Sequence, residues 1–224
     1  MKRMTIAIFS FAILLFAANA HAVLIDFEGL SAGEFVTGDT ISGATFTVAD
    51  QGTTSGDARE LMIFQSNCGG ALPACTGGDP DLSTTEVPMG VAPISAGNVL
   101  IISQDNDQGD PNDSAAGGVI ITKFDTDVTF IEAVTIDVGD SGSTGNEFKV
   151  FLDGVEQDNI MLMTNQGDNN VQTVSFMGLF DEIQLNLTGS GALASIEFTP
   201  VPIPAALPLF MAGLLGLFGL RKKA

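Results

Sequence analysis

The sequence predicts an all-β protein, a single jelly-roll-like β-sandwich set between two apolar ends. Three observations carry that expectation. Apolar and polar residues alternate with a period of two through much of residues 23–199, no stretch there shows a convincing 3.6-residue apolar stripe, and clusters of Gly, Asn, Asp and Ser punctuate the alternating runs. A strand with that pattern keeps one face on a core and the other in water. A domain of about 180 residues buries roughly 70% of its unfolded surface, so one core suffices.

The first 22 residues read as a cleavable secretory signal. Lys2 and Arg3 precede an apolar run from Ile6 to Ala18, and Ala20-His21-Ala22 supplies the small-x-small cleavage site. Cleavage there removes the one histidine of the chain. Export is expected to pass through the Sec translocon.

Strands are expected near Leu24–Phe27, Thr45–Val48, Leu61–Phe64, Val99–Ser103 and Val119–Phe124, then Val128–Val138, Glu147–Asp153, Ile160–Met163, Val171–Phe176, Asp181–Leu187 and Ala192–Phe198. The alternation is plain in the later ones. Phe148, Val150 and Leu152 interleave with polar residues, with Phe151 as the exception. Ile183, Leu185 and Leu187 interleave with Gln184, Asn186 and Thr188, and Ala194, Ile196 and Phe198 with Ser195, Glu197 and Thr199. Asp153-Gly154 between two such runs is a hairpin signal.

The longest irregular stretch runs from Asn67 to Ala96. Within it Cys68 and Cys75 enclose six residues. In an oxidising compartment, with no other cysteine competing, they are expected to form a disulfide. Chain-entropy arithmetic for so short a loop gives roughly 2–3 kcal/mol.

Charge is distributed unevenly. All 27 acids lie between Asp26 and Glu197, against only Arg59, Lys123 and Lys149, which leaves residues 23–200 at −24. Nucleic-acid binding is excluded, because it needs a basic face to replace phosphate counterions. Anionic membrane surfaces are disfavoured for the same reason. The acids also cluster, in Asp79-Pro80-Asp81 and in the nine residues from Asp105 to Asp113, which hold four Asp, two Asn and one Gln. Oxygen-rich loops suit a hard cation, Ca²⁺ before Zn²⁺. Asp79, Asp81, Asp105, Asp107, Asp110 and Asp113 are therefore the candidate calcium ligands. The second loop is not an EF-hand: Gly109 comes one position early, and Ala116 stands where the bidentate Glu belongs. Asp137 with Asp140 forms a third acidic group, and Asp26 with Glu28 offers a structural ligand if the first and last strands meet.

The C-terminal end repeats the apolar-plus-basic pattern in reverse. Val201-Pro202-Ile203-Pro204-Ala205 precedes an apolar run from Ala206 to Leu220, and Arg221-Lys222-Lys223 closes it. As a helix the run falls a little short of a ~30 Å hydrocarbon core, a gap that snorkelling of the basic end covers. This tripartite order resembles the bacterial PEP-CTERM-type C-terminal sorting signals, in the variant whose motif reads Val-Pro-Leu-Pro-Ala, with Ile203 replacing the usual Leu. The resemblance covers about 24 residues and implies recognition by an exosortase, a membrane-embedded cysteine protease. It implies that Val201, Pro202, Ile203, Pro204 and Ala205 are recognition residues of a substrate. The middle of the chain is similar to a recurrent group of exported proteins with such tails, on segments that include Asp26-Phe27-Glu28-Gly29, Pro111-Asn112-Asp113 and Gly189-Ser190-Gly191-Ala192. That likeness implies a β-sandwich and no settled activity.

The expected organisation is a signal peptide over 1–22, an ectodomain over 23–199 and a sorting signal with one transmembrane helix over 200–224. The expected function is that of a non-enzymatic exported protein of the cell surface or extracellular matrix, calcium-stabilised and transiently anchored in the inner membrane. The alternative is a calcium-dependent carbohydrate-binding module acting on extracellular polysaccharide. A secreted glycoside hydrolase stands behind both. Imidazole-based triads are missing from the mature chain, and a sugar site usually offers Trp or Tyr platforms, of which the sequence has none.

Overall fold

The computed structural model describes residues 21–49, 59–67, 82, 97–139, 144–167 and 169–202. The described residues form ten strands and no helix. In order these are β1 (Val23–Ile25), β2 (Thr40–Ile41), β3 (Ala44–Ala49), β4 (Leu61–Gln65), β5 (Asn98–Ile102), β6 (Gly118–Ile136), β7 (Glu147–Leu152), β8 (Val155–Met161), β9 (Val171–Leu187) and β10 (Ala192–Pro200). All pairings are antiparallel. One sheet runs in the order β4-β5-β10-β6-β9-β7-β8, with β1 on β10, β3 on β6 and β2 on β3. The described residues are all-β, as expected for residues 23–199.

Three strand boundaries differ from the sequence expectation. Val119–Phe124 and most of Val128–Val138 belong to one strand, β6, which ends at Ile136, and Val171–Phe176 and Asp181–Leu187 to another, β9. Asp125-Thr126-Asp127 and Gly178 read as turns, yet the chain passes through them as bends with register shifts on both sides of Val128. A bulge of that kind lets a ladder continue while the strand turns sharply. The third difference is β8, which begins at Val155 rather than near Ile160. Asp153 and Gly154 hold φ of 52° and 76°, so a two-residue turn of the primed type starts the return strand at once. β8 lies at the sheet edge with only Ile160 partly covered, which is why no alternation announces it.

The bends in β6 and β9 divide the sheet into two halves. β3, β7 and β8 join the first part of β6 and the last part of β9, while β10, β5, β4 and β1 join the other parts. Both halves turn apolar side chains into one cluster. Phe46, Phe148, Val150, Ile183 and Leu185 come from the first half, and Ile63, Leu100, Ile131, Phe176, Ile196 and Phe198 from the second. Phe27 meets Phe46 edge-on at 5.5 Å between ring centroids, a geometry that aromatic quadrupoles favour. The arrangement is consistent with a β-sandwich.

A second cluster lies on the other face of β4 and β5, where Met62, Phe64, Val99 and Ile101 pack with Leu82, Ile136, Ala192 and Ala194. Both faces of these two strands are covered, which explains their unbroken apolar runs. Residues 21–201 form one compact unit. Among the described residues no helix is long and apolar enough to cross a membrane.

Candidate functional site

At one end of the sheet the chain gathers its buried polar groups. The acidic loop 105–113 follows β5 directly, and its side chains divide into two sets. Asp105 and Asp107 face solvent and accept backbone N–H groups within the loop, Asp105 from Asp107 at 3.1 Å and Asp107 from Gly109 at 2.9 Å. Asp110 is exposed as well. Asp113, in contrast, is only 4% exposed and points inward. Its Oδ2 accepts the Gly191 N–H and lies 2.9 Å from Ser190 Oγ.

The same hydroxyl lies 3.2 Å from Oδ2 of Asp137, which is 1% exposed and sits at the end of β6 with φ 57°. Asp tolerates that left-handed backbone better than most residues. Asp137 Oδ1 accepts the Asn169 N–H at 2.9 Å. Two buried carboxyl groups thus tie four segments to one another: the end of the acidic loop, the end of β6, the β8–β9 connection and the β9–β10 turn. Buried carboxyl groups in such a place hold chain segments by accepting backbone N–H groups that would otherwise lose their partners.

Gln172 completes this end. Its Nε2 reaches Val138 O at 2.6 Å, Met163 O at 3.0 Å and Asn170 Oδ1 at 3.0 Å, and its Oε1 accepts the Met163 N–H at 2.7 Å. Asn146, fully buried, accepts the Thr188 N–H and hydroxyl on Oδ1, while its Nδ2 has no partner among the described residues. Arg59 donates to Ser114 Oγ and, at 3.1 Å, to Gly117 O. Gly117 is required here. It holds φ 70°, and a Cβ would strike the Leu187 carbonyl.

The expected metal ligands come together only in part. Asp113 shares the Ser190 hydroxyl with Asp137, whereas Asp105 and Asp107 cap backbone N–H groups within the loop. Among the described residues no three His, Cys, Asp or Glu side chains are gathered so as to hold a metal ion. Asp79, Asp81, Asp140 and the Cys68–Cys75 pair lie outside the described residues. The first and last strands do meet, with Val23 opposite Phe198. There Glu28 Oε1 accepts the Asn98 N–H at 3.1 Å, and Asp26 accepts the Glu28 N–H at 3.3 Å, so both carboxylates cap backbone.

Of the sorting and cleavage residues, Ala22, Val201 and Pro202 are described, whereas Ala20, Ile203, Pro204 and Ala205 lie outside. Val201 donates its N–H to Asp127 O at 2.8 Å, and Pro202 is exposed.

Sequence reasoning missed Gln172 and Asn146. Gln172 shares its parity with the core residues Val174 and Phe176, so a polar residue at a core position was its signal. Asn146 stands in phase with Phe148 and Val150 just before β7, so it gave the same signal. The outer face of the other half-sheet is polar but not buried. Gln184 on β9 and Lys149 on β7 are paired across it, and Asn159 on β8 lies opposite Lys149. Lys149 Nζ lies 3.0 Å from Glu147 and 3.5 Å from Glu156. Its ammonium titrates above the ordinary value, first through the Glu147 hydrogen bond, then through that carboxylate's charge; desolvation opposes weakly and Glu156 adds the rest.

No family model and no curated relative matches the sequence. Among solved structures, the chain is similar to one described as CpGH89CBM32-6 produced by Clostridium perfringens, at 13% identity and a TM-score of 0.26, over 38% of this chain and 71% of that one. A likeness at that level assigns neither fold family nor function.

Proposed function

We propose that the protein is a non-enzymatic, exported component of the cell surface or extracellular matrix, built as a jelly-roll-like sandwich and sorted through its C-terminal signal by an exosortase. The observation that supports this reading is how directly the last strand delivers the motif. β10 ends at Pro200, Val201 is tied to Asp127, and Pro202 is already exposed, so nothing folded separates the domain from Val201-Pro202-Ile203-Pro204-Ala205. A processing enzyme needs an accessible, extended segment, and X-Pro dipeptides favour extended backbone. Replacing Pro202 and Pro204 together by Ala is expected to leave full-length, membrane-retained protein in the producing cell. Unchanged size and release would remove the sorting reading.

Calcium belongs to the same proposal. The exposed carboxylates of Asp105, Asp107 and Asp110 are acceptors for it, and acids from outside the described residues, Asp79 and Asp81 first, would have to complete the shell. A second reading, recognition of extracellular polysaccharide, is favoured by the outer face bearing Gln184, Asn159 and Lys149. Amides and paired charges on a pleated surface offer the donors and acceptors that hydroxyl-rich polymers use. A glycan array probed with and without calcium separates the two readings.

A further inference from the structure

β1 and β10 are antiparallel neighbours, and Val23 stands opposite Phe198. The chain therefore enters and leaves the domain at the same end, on adjacent strands about 5 Å apart. After signal cleavage the departing strand alone connects to an apolar run, through the four residues 202–205 that link Val201 to Ala206. Four extended residues span at most about 14 Å. One headgroup layer takes up about 5–8 Å of that. An apolar run that starts at the hydrocarbon boundary thus leaves this end of the domain no more than about 10 Å above the headgroups.

Exposed apolar side chains gather at this end. Thr199, Phe130 and Met177 form a row across three strands, so Met177 lies about 10 Å from the departing chain. Met177 is 87% exposed, and Leu179, two residues on, is 43% exposed. Val155 is exposed in the β7–β8 hairpin, whose turn reaches the same corner through the Asp153 N–H on Asp181 Oδ2 at 3.2 Å. Single exposed apolar residues need no explanation, but a group beside both points of chain entry does. Asp125, Asp127 and Asp153 are exposed nearby, which favours a zwitterionic surface over an anionic one.

We propose that this end of the domain, with Met177, Leu179 and Val155, rests on the lipid headgroups while the tail is anchored, and so holds the Val201–Ala205 motif at the membrane surface. This rests on the reading of residues 206–220 as a membrane segment. The chain has no Trp, so Met177→Trp and Met161→Trp each introduce a single indole, at this corner and at the far end of β8 respectively. The mature chain, residues 23–224, carrying each variant is mixed with phosphatidylcholine vesicles and floated, and quenching by brominated phosphatidylcholine is then recorded.

The expected result is flotation of both variants, with quenching at position 177 at least threefold stronger than at 161. Equal quenching in chains that float overturns the docking surface and leaves the tail reading intact. Failure to float overturns the tail reading and the docking surface with it. Far-ultraviolet circular dichroism of each variant confirms that the sheet is retained.

Discussion

The two ends of the domain solve opposite problems. At the loop end, Asp113, Asp137, Asn146 and Gln172 are taken out of water, and hydrogen bonds bind several chain segments together. At the end where the chain enters and leaves, Met177, Leu179 and Val155 stay in water, and the acids there are exposed. Burying a polar group costs stability unless it is bonded, whereas exposing an apolar one costs little locally but leaves a surface that favours contact. The contrast teaches that the loop end carries the stability of the long connections. The other end is organised around the passage of the chain.

The largest expected effect tests the loop end. Gln172→Ala removes four hydrogen bonds, three of them to backbone atoms of Val138 and Met163, and leaves those atoms poorly served. A loss of about 3 kcal/mol is expected, read from urea unfolding. A loss below about 0.5 kcal/mol, the range of ordinary surface changes, would erase the contrast between the ends.

Calcium sharpens the same comparison. If the exposed acids of the loop 105–113 help to hold an ion, saturation at a hundredfold its Kd adds about 2.7 kcal/mol. For a domain of this size that corresponds to roughly 5–10 °C in Tm. The midpoint in millimolar calcium is therefore expected to exceed that in chelator by this amount, and coincident melting curves would remove the ion.

The smallest effect lies on the face between the ends. The Lys149 pKa is raised in the folded state, so its contribution is fully present below the unfolded value, about 10.4, and is lost as pH rises through the higher folded value. The side chain lies partly exposed on the outer face of the sheet, and such surface pairs contribute little. Lys149→Met is expected to leave the urea midpoint at pH 7 unchanged within error. It should remove only a slight decline between pH 10 and 12.

Much of the fold was legible. Alternation located β7, the second half of β9 and β10 because each has one face on the core and the other in water. It failed at β8, an edge strand with little to bury, and at the bends of β6 and β9, where Asp125-Thr126-Asp127 and Gly178 mimic turns. The candidate site was legible as residue types and not as partners. Asp113 stood out with the other acids of its loop, but its bond to Ser190 spans 77 positions and no local pattern encodes it.

The sequence alone determined the all-β class of the described residues, from a period of two, and the acidic character of residues 23–200. These follow from local chemistry, since periodicity and charge act over a few residues. Only the tertiary structure decided that Asp113 turns inward to Asp137 while its loop neighbours stay in water. It also decided that Val23 and Phe198 are neighbours, which brings the first and last strands of the domain together. Such facts depend on strand order and register across the whole sheet, and strand pairing joins residues that no short window of sequence contains.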